Sequence, residues 1–443
     1  MLNEFNFSVS DLEFLSAQTG SYFGDDGSTD WDSYIIKSSI NFGSPLAASS
    51  TDSLRPETSA QITEISARLL KTFTTPKAYM KFLSHRGESA QDLLDLLQKL
   101  LDHAPLKPQF RVLLYVALVR LCRKSELCPR SFYLQGVKDR EEYPHSAGYF
   151  GDIYKAYHKG KPVCLKIVRL YHKSSQAQFH KAFSREAVIW AQLSHPNILP
   201  FYGIYFLSDP RKSFCLVSPW ISRGNVLEFL TEEPNAHRLR LIYGIASGME
   251  HLHENGVVHG DLKSLNILVA EPEQALLTDF GFSYVTDDHG LQGPTLSSSH
   301  ALGGTMAYEA PERLEDPESR RTTKSDVFAF GMLFTYPPLA NVKTMSISSA
   351  HSKIVHVSPQ SLGAFTEYSG RGLTNEIWQV LESCWSHGPN VRPTATQITQ
   401  RLPSVEIESV PSEWSLPWRP GFESSKGQVD DTIKKALSHL QTL

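Results

Sequence analysis

The stretch from Val257 to Gly281, VVHGDLKSLNILVAEPEQALLTDFG, constrains this chain more than any other. It holds three polar clusters: His259-Gly260-Asp261, Lys263 with Asn266, and Asp279-Phe280-Gly281. Apolar runs separate them. Ile267, Leu268 and Val269 predict one buried strand and Ala275 to Thr278 a second, with a polar turn over Glu271 to Gln274. The expected hairpin presents two carboxylates, an ammonium and an amide at its ends. Such a set suits a divalent cation and a phosphate chain. Asn and Asp offer hard oxygen ligands to Mg²⁺, and a second Asp stays free to handle a proton.

The pattern His-x-Asp-x-Lys-x-x-Asn, followed at this distance by Asp-Phe-Gly, resembles the catalytic and metal-binding loops of the protein kinase family. Four fixed residues and a second motif downstream make the resemblance specific, against the rival account of a coincidental polar hairpin. The resemblance covers about residues 137–403 and implies an α+β bilobal fold, a small β-rich lobe and a large α-helical lobe with ATP between them. It further implies that Asp261 orients the attacking hydroxyl and accepts its proton. Lys263 would neutralise charge developing on the γ-phosphate, Asn266 and Asp279 would hold Mg²⁺, and Thr305 would hydrogen-bond to Asp261 and Lys263.

Other stretches fall in the family's order. Ser146 to Tyr154, SAGYFGDIY, resembles its glycine-rich loop, with Gly148 and Gly151 letting the backbone approach phosphates. Ser146 replaces the first glycine. Val163-Cys164-Leu165-Lys166 resembles the strand whose lysine contacts the α- and β-phosphates, and Glu186 is the expected carboxylate partner. Phe214 to Ile221 reads as a buried strand leaving into a connection, the family's hinge. There Ser218 is a small gatekeeper, Pro219 offers its C=O and Ile221 its N–H to adenine. Ile153, Cys164 and Leu268 complete the implied nucleotide site. Trp190, Phe280, His259 and Asp326 fit the family's regulatory spine, and Glu312 would pair with Arg392 as a buried ion pair.

The flanking regions differ in character. Residues 1–57 are rich in Ser, Asp, Gly and Thr and read as a disordered tail. Residues 58–131 turn helical. Thr58 and Gln61 suggest a capping box, and a leucine-rich helix opened by Ser89 and Asp92 stops at Pro105 and Pro108. A third helix over about Phe110 to Cys122 is apolar on nearly all sides. The basic end of this helical domain, Arg120, Arg123, Lys124 and Arg130, is either a solvated helix end or a surface for intramolecular or partner contacts. The kinase-like region then spans 132–403, its small lobe 132–221 and its large lobe 222–403. Residues 404–443 read as a tail with a short amphipathic helix from about Gln428.

Two departures from the family pattern matter. Gly260 stands where many kinases carry an arginine that binds activation-segment phosphate, so weak dependence on phosphorylation of Thr295, Ser297, Ser298 or Ser299 is expected. The helix opened by Lys324 to Gly331 runs into Pro337-Pro338, about two turns early, which suggests a short internal deletion.

The expected function is therefore ATP- and Mg²⁺-dependent transfer to Ser or Thr hydroxyls of protein substrates in intracellular signalling. The alternative is a catalytically impaired pseudokinase that serves as an ATP-binding scaffold or switch. Lys263 and Gly303-Gly304-Thr305 favour Ser/Thr over Tyr. The HGDLK loop and preceding helical domain resemble the tyrosine-kinase-like group as found in fungi. Formal charge −4 over 443 residues gives no case for nucleic-acid binding. The longest apolar run, Val112 to Val119, is too short to span a bilayer. Five scattered cysteines form no disulfide framework, and with no secretory signal at the N-terminus they point to a cytoplasmic protein, nuclear entry being left open.

Overall fold

The computed structural model describes residues 56–103, 106–148, 151–167, 176–207, 213–285, 308–316, 319–333, 372–405 and 428–441. Outside them fall most of the N-terminal tail, Pro105, Tyr149 and Phe150, Thr295 to Ser299, Thr305, and Phe334 to Pro338. The architecture is bilobal and preceded by helices, as the resemblance implies.

Four helices come first: α1 (Pro56–Thr74), α2 (Pro76–Leu83), α3 (Gly87–His103) and α4 (Pro108–Ser125). Helix α1 starts at Pro56, so Thr58 lies inside it rather than capping it. Pro108 opens α4 instead of closing the helix before it. A proline fits the first turn, where its missing N–H has no partner to lose. Leu93, Leu94, Leu97, Leu100 and Leu101 of α3 are buried, as are Leu114, Leu118 and Leu121 of α4. Arg130 is not a free basic group. Its guanidinium bonds Asp95 at 2.8 Å and also pairs with Glu88.

The small lobe is one antiparallel sheet with its strands β1 (Val137–Lys138), β2 (Ser146–Gly148), β3 (Gly151–His158), β4 (Lys161–Ile167), β5 (Gly203–Phe206) and β6 (Phe214–Pro219). Their order is β1-β3-β4-β6-β5, with β2 also on β3. Helix α5 (Gln176–Ala191) interrupts the strand series after β4. Strand alternation assigns the faces. Val163, Leu165, Cys215 and Val217 fill one apolar cluster. Cys164, Lys166, Leu216 and Ser218 therefore point to the other face.

The large lobe holds α6 (Val226–Glu232), α7 (Arg238–Glu254), β7 (Val257–Val258), the hairpin β8 (Ile267–Ala270) with β9 (Gln274–Leu277), and β10 (Tyr284–Val285). Then come α8 (Pro311–Glu315), α9 (Thr323–Met332), α10 (Asn375–Cys384) and α11 (Ala395–Arg401). Gln274, assigned to the turn from sequence, starts β9 instead. It is buried and donates to the Pro196 carbonyl at 2.7 Å. Helix α9 ends at Met332 with Leu333 as its C-cap. Pro337 and Pro338, the expected terminators, lie outside the described residues. The part present is tightly seated: a Cβ on Gly331 would approach that of Cys384 to 2.9 Å.

The final helix, α12 (Gln428–Gln441), returns to pack on α3 and α1, with Ala436 and Leu440 buried. Helix α4 packs along α5. Buried apolar side chains run without a break from the first helices through α5 into the large lobe. Among the described residues no helix is long and apolar enough to cross a membrane.

Candidate active site

The site forms where the β8–β9 hairpin meets α5 and β4. The hairpin is in register from Ile267↔Leu277 to Ala270↔Gln274. Asp261, Lys263 and Asn266 therefore precede it and Asp279 follows it at the same end. Thr278 N–H donates to the Asn266 carbonyl at 3.0 Å and closes that end.

Lys166 is the junction. Its Nζ donates to Glu186 Oε1 at 2.8 Å and to Asp279 Oδ1 at 2.7 Å. Three elements are thereby joined: β4, α5 and the loop after β9. Burial disfavours the ammonium, but Asp279 and Glu186 outweigh it and hold its pKa above the usual lysine range. For Asp279 burial again opposes the charge, and Lys166 prevails and holds the carboxyl below its usual range. Glu186 is raised by burial, which Lys166 only partly offsets. Asp279 takes a left-handed backbone, φ 65° and ψ 74°, unusual for a residue with a Cβ. Arg185, next to Glu186, donates to the Gly281 carbonyl at 2.8 Å. Helix α5 thus grips the Asp279 loop twice. Arg185 was not singled out from sequence, and only its adjacency to Glu186 hinted at it.

Asp261 is the second focus. Its Oδ2 accepts from Lys263 Nζ at 2.7 Å and from Asn266 Nδ2 at 3.0 Å. Asn266 Nδ2 also donates to the Asp261 carbonyl at 2.8 Å. Its amide N–H groups are thus engaged, and its oxygen is the group left for a cation. Burial raises the Asp261 pKa, with Lys263 pulling it back in part, so the carboxylate is a stronger base than a solvated one. His259 accepts the Asp261 N–H on Nδ1 at 3.3 Å and donates from Nε2 to the Thr278 carbonyl at 3.0 Å, which defines its tautomer.

Asp326, in the first turn of α9, fixes the loop from below. Its carboxylate accepts the N–H of His259 at 2.8 Å and of Gly260 at 2.9 Å. Above it the rings of His259 and Phe280 lie 5.4 Å apart, and those of Phe280 and Trp190 5.7 Å apart. The four residues assigned to a spine by resemblance are thus in serial contact.

Of the expected nucleotide residues, Ile153, Cys164 and Ser218 share with Lys166 the sheet face opposite the apolar cluster of the small lobe. Ile153 is in register with Lys166, and Cys164 with Ser218. Gly148 and Gly151 pair at the facing ends of β2 and β3. Burial pushes the Cys164 thiol up to about 11, so it stays neutral. Ser218 and Ile221 are buried, Pro219 ends β6, and Leu268 lies on β8. Thr305 lies outside the described residues.

Glu312 and Arg392 form two parallel bonds, Nη1–Oε1 and Nη2–Oε2, both 2.7 Å. Arg392 also donates to the carbonyls of Lys324, Ser386 and His387, so every side of its buried guanidinium is engaged.

Asp279 and Asn266 offer one carboxylate and one amide oxygen. That set fits a magnesium ion held largely by substrate phosphates and water, since Mg²⁺ seldom takes an all-protein cage.

The family model described as the protein kinase domain matches residues 146–402. The chain is similar to serine/threonine-protein kinase CTR1 of Arabidopsis thaliana, 29% identical over 60% of this chain and 31% of that protein. It is similar to dual specificity protein kinase zakA of Dictyostelium discoideum, 28% identical over 58% of this chain and 33% of that one. Serine/threonine/tyrosine-protein kinase HT1 of Arabidopsis thaliana is 26% identical over 67% of this chain and 74% of its own. The chain spans about a third of the length of the first two.

Proposed function

The chain belongs to the protein kinase family, and on that premise we propose that it is an ATP-dependent kinase acting on Ser and Thr hydroxyls of protein substrates. The observation that carries this reading is Lys166 Nζ within 2.8 Å of Glu186 and 2.7 Å of Asp279, beside a buried Asp261 held by Lys263 and Asn266. A coincidental polar hairpin gives no reason for α5 and β4 to converge on its end.

Lys166 holds the α- and β-phosphates, and Glu186 keeps its ammonium aimed. Asp279 and Asn266 are the residues that would hold Mg²⁺, which when bound would neutralise phosphate oxygens. Asp261 accepts the substrate hydroxyl proton as that oxygen bonds to the γ-phosphorus. The bond from γ-phosphorus to the bridging oxygen breaks, and ADP leaves with its electron pair. Oδ2 of Asp261 is occupied by Lys263 and Asn266, so Oδ1 is the oxygen that takes the proton. Lys263 stands beside it to offset charge on the transferred group.

Names of relatives favour Ser/Thr acceptors, with dual specificity also present among them. Lys263, two residues after Asp261, supports Ser/Thr here. On the HGDLK loop and the helical domain before it we assign the chain to the tyrosine-kinase-like group as found in fungi. A phylogeny of residues 146–402 that places them outside that group overturns this finer assignment.

The test is Mg-ATP phosphoryl transfer to a Ser/Thr peptide library by the full chain, with Asp261→Asn beside it. Transfer should fall by about 10²- to 10⁴-fold in the variant. Nucleotide binding without transfer in the wild type would replace this reading with the pseudokinase switch.

A further inference from the structure

We infer that Arg321, from the loop ahead of α9, fills the place left bare by Gly260 and acts as a positioning residue for Asp261. This inference rests on the kinase reading for its effect on transfer, but its structural part stands separately.

Gly260 has φ +79°, a conformation that favours glycine. A Cβ there would lie 3.0 Å from the Phe282 carbonyl oxygen and 3.3 Å from Arg321 Cδ. The stem of Arg321 thus lies against the bare face of Gly260, one residue from the proposed base. Its guanidinium carbon sits 5.0 Å from the centroid of the Phe282 ring. Nη2 donates to Glu309 Oε2 at 3.2 Å, and Glu309 is held in turn by Arg313 Nε at 3.0 Å. The backbone carbonyl of Arg321 accepts the Tyr284 hydroxyl, and Tyr284 pairs with Val258 across β10 and β7.

One residue therefore touches the loop carrying Asp261, the segment after Asp279 and the segment before α8. Glycine is the residue with most backbone freedom to lose, so a loop carrying it beside a catalytic group needs an outside restraint. Asp326 supplies two hydrogen bonds from one side. Arg321 covers the other side with a packed stem and a cation on an aromatic face. No motif reveals this, because Arg321 lies far along the chain from Gly260 and before the recognisable start of α9.

The experiment compares wild type, Arg321→Ala and Arg321→Lys as full chains, by steady-state transfer and by amide hydrogen exchange. In Arg321→Ala, kcat should fall by roughly ten- to a hundredfold with KM for Mg-ATP within about twofold. Exchange over 258–262 and 282–285 should speed up by about tenfold or more while α7 is unchanged. Arg321→Lys keeps stem and charge and should recover part of both. If Arg321→Ala does not fold, Arg321→Met, which keeps the stem and loses the cation, is judged by the same criteria. Unchanged local exchange, or acceleration spread equally through α7, overturns the inference. A wild type that transfers nothing while Arg321→Ala still loosens 258–262 overturns the kinase reading and leaves the positioning contact standing.

Discussion

Gln192 donates its side-chain amide to Oε1 of Gln98 at 2.8 Å, and so ties the end of the helix carrying Glu186 to the helical domain. Gln98 in turn donates to Asp102 at 2.8 Å, which orients its amide. Helix α5 is therefore braced from behind by α3 and α4 while its front holds Lys166 and Gly281.

Gln98→Leu removes the acceptor and keeps the volume. We predict a loss of about 1 kcal/mol in stability, the usual net worth of such a bond. Mg-ATP binding should weaken with it, because the position of Glu186 depends on α5. Calorimetric titration checks this. Unaltered nucleotide affinity alongside the lowered stability would mean that the brace does not reach the site.

Lys166→Met leaves Glu186 and Asp279 as buried carboxylates with their shared cation gone. Truncating one member of a buried ion pair costs about 3–5 kcal/mol. The sign with pH follows from the shifts. Asp279 is held low by Lys166, so its contribution is present above the usual aspartate range and lost as pH falls through the lowered value. Lys166 is held high, and its contribution persists throughout the acid range. The penalty of Lys166→Met should therefore be largest near neutrality and shrink toward acid, where the orphaned carboxylates protonate. Urea unfolding of both proteins at neutral and mildly acidic pH measures it. A penalty constant with pH would contradict the charge argument.

The β8–β9 hairpin was legible because its signals are local. Short continuous apolar runs define β8 and β9, and polar residues with fixed spacing mark their ends. Pro108 is ambiguous in sequence because one property of proline, its missing N–H, both stops a helix and suits the first turn of one. Helix α2, PKAYMKFL, went unnoticed for a related reason: only eight residues long, it begins on Pro76. Contacts between distant segments that no family motif carries left no local trace. Gln98 with Gln192, Arg321 over Gly260, and α12 on α3 pair residues whose own neighbours in sequence carry no pattern pointing across the fold. For Arg130 the intramolecular alternative holds, with its acidic partners Glu88 and Asp95 on another helix and distant in sequence.

Glu312→Gln should cost roughly 3–5 kcal/mol, because Glu312 is the one charged group among the four that bond the buried Arg392 guanidinium. Burial works against the Glu312 carboxylate, but the Arg392 bonds prevail and lower its pKa. Its contribution is thus complete above the usual glutamate range and disappears as pH falls through the lowered value. The variant should lose less stability on acidification than the wild type. Parallel acid titrations of unfolding free energy test this, and identical acid slopes would count against it.

Ala436 of α12 is fully buried against the first helices, and His439 reaches Asp92 of α3 at 3.3 Å. Ala436→Glu would force a carboxylate into that contact. Burying an unpaired charge is costly enough that α12 should leave the surface instead of accepting it. The loss is then limited to the apolar contacts of one short helix, about 2–4 kcal/mol for the burial of one or two large side chains and their neighbours. Limited proteolysis should cut the variant, unlike the wild type, within residues 428–441 while α3, α4 and α5 resist in both, since a released helix of this length is marginal alone in water. The leucines of α3 that α12 covers would be exposed at the same time, so apolar dye binding should rise. Intact α12 in the variant under conditions that digest an unfolded chain would show that its contact with α3 tolerates the charge, and that the helix is held by something other than the buried face of Ala436 and Leu440.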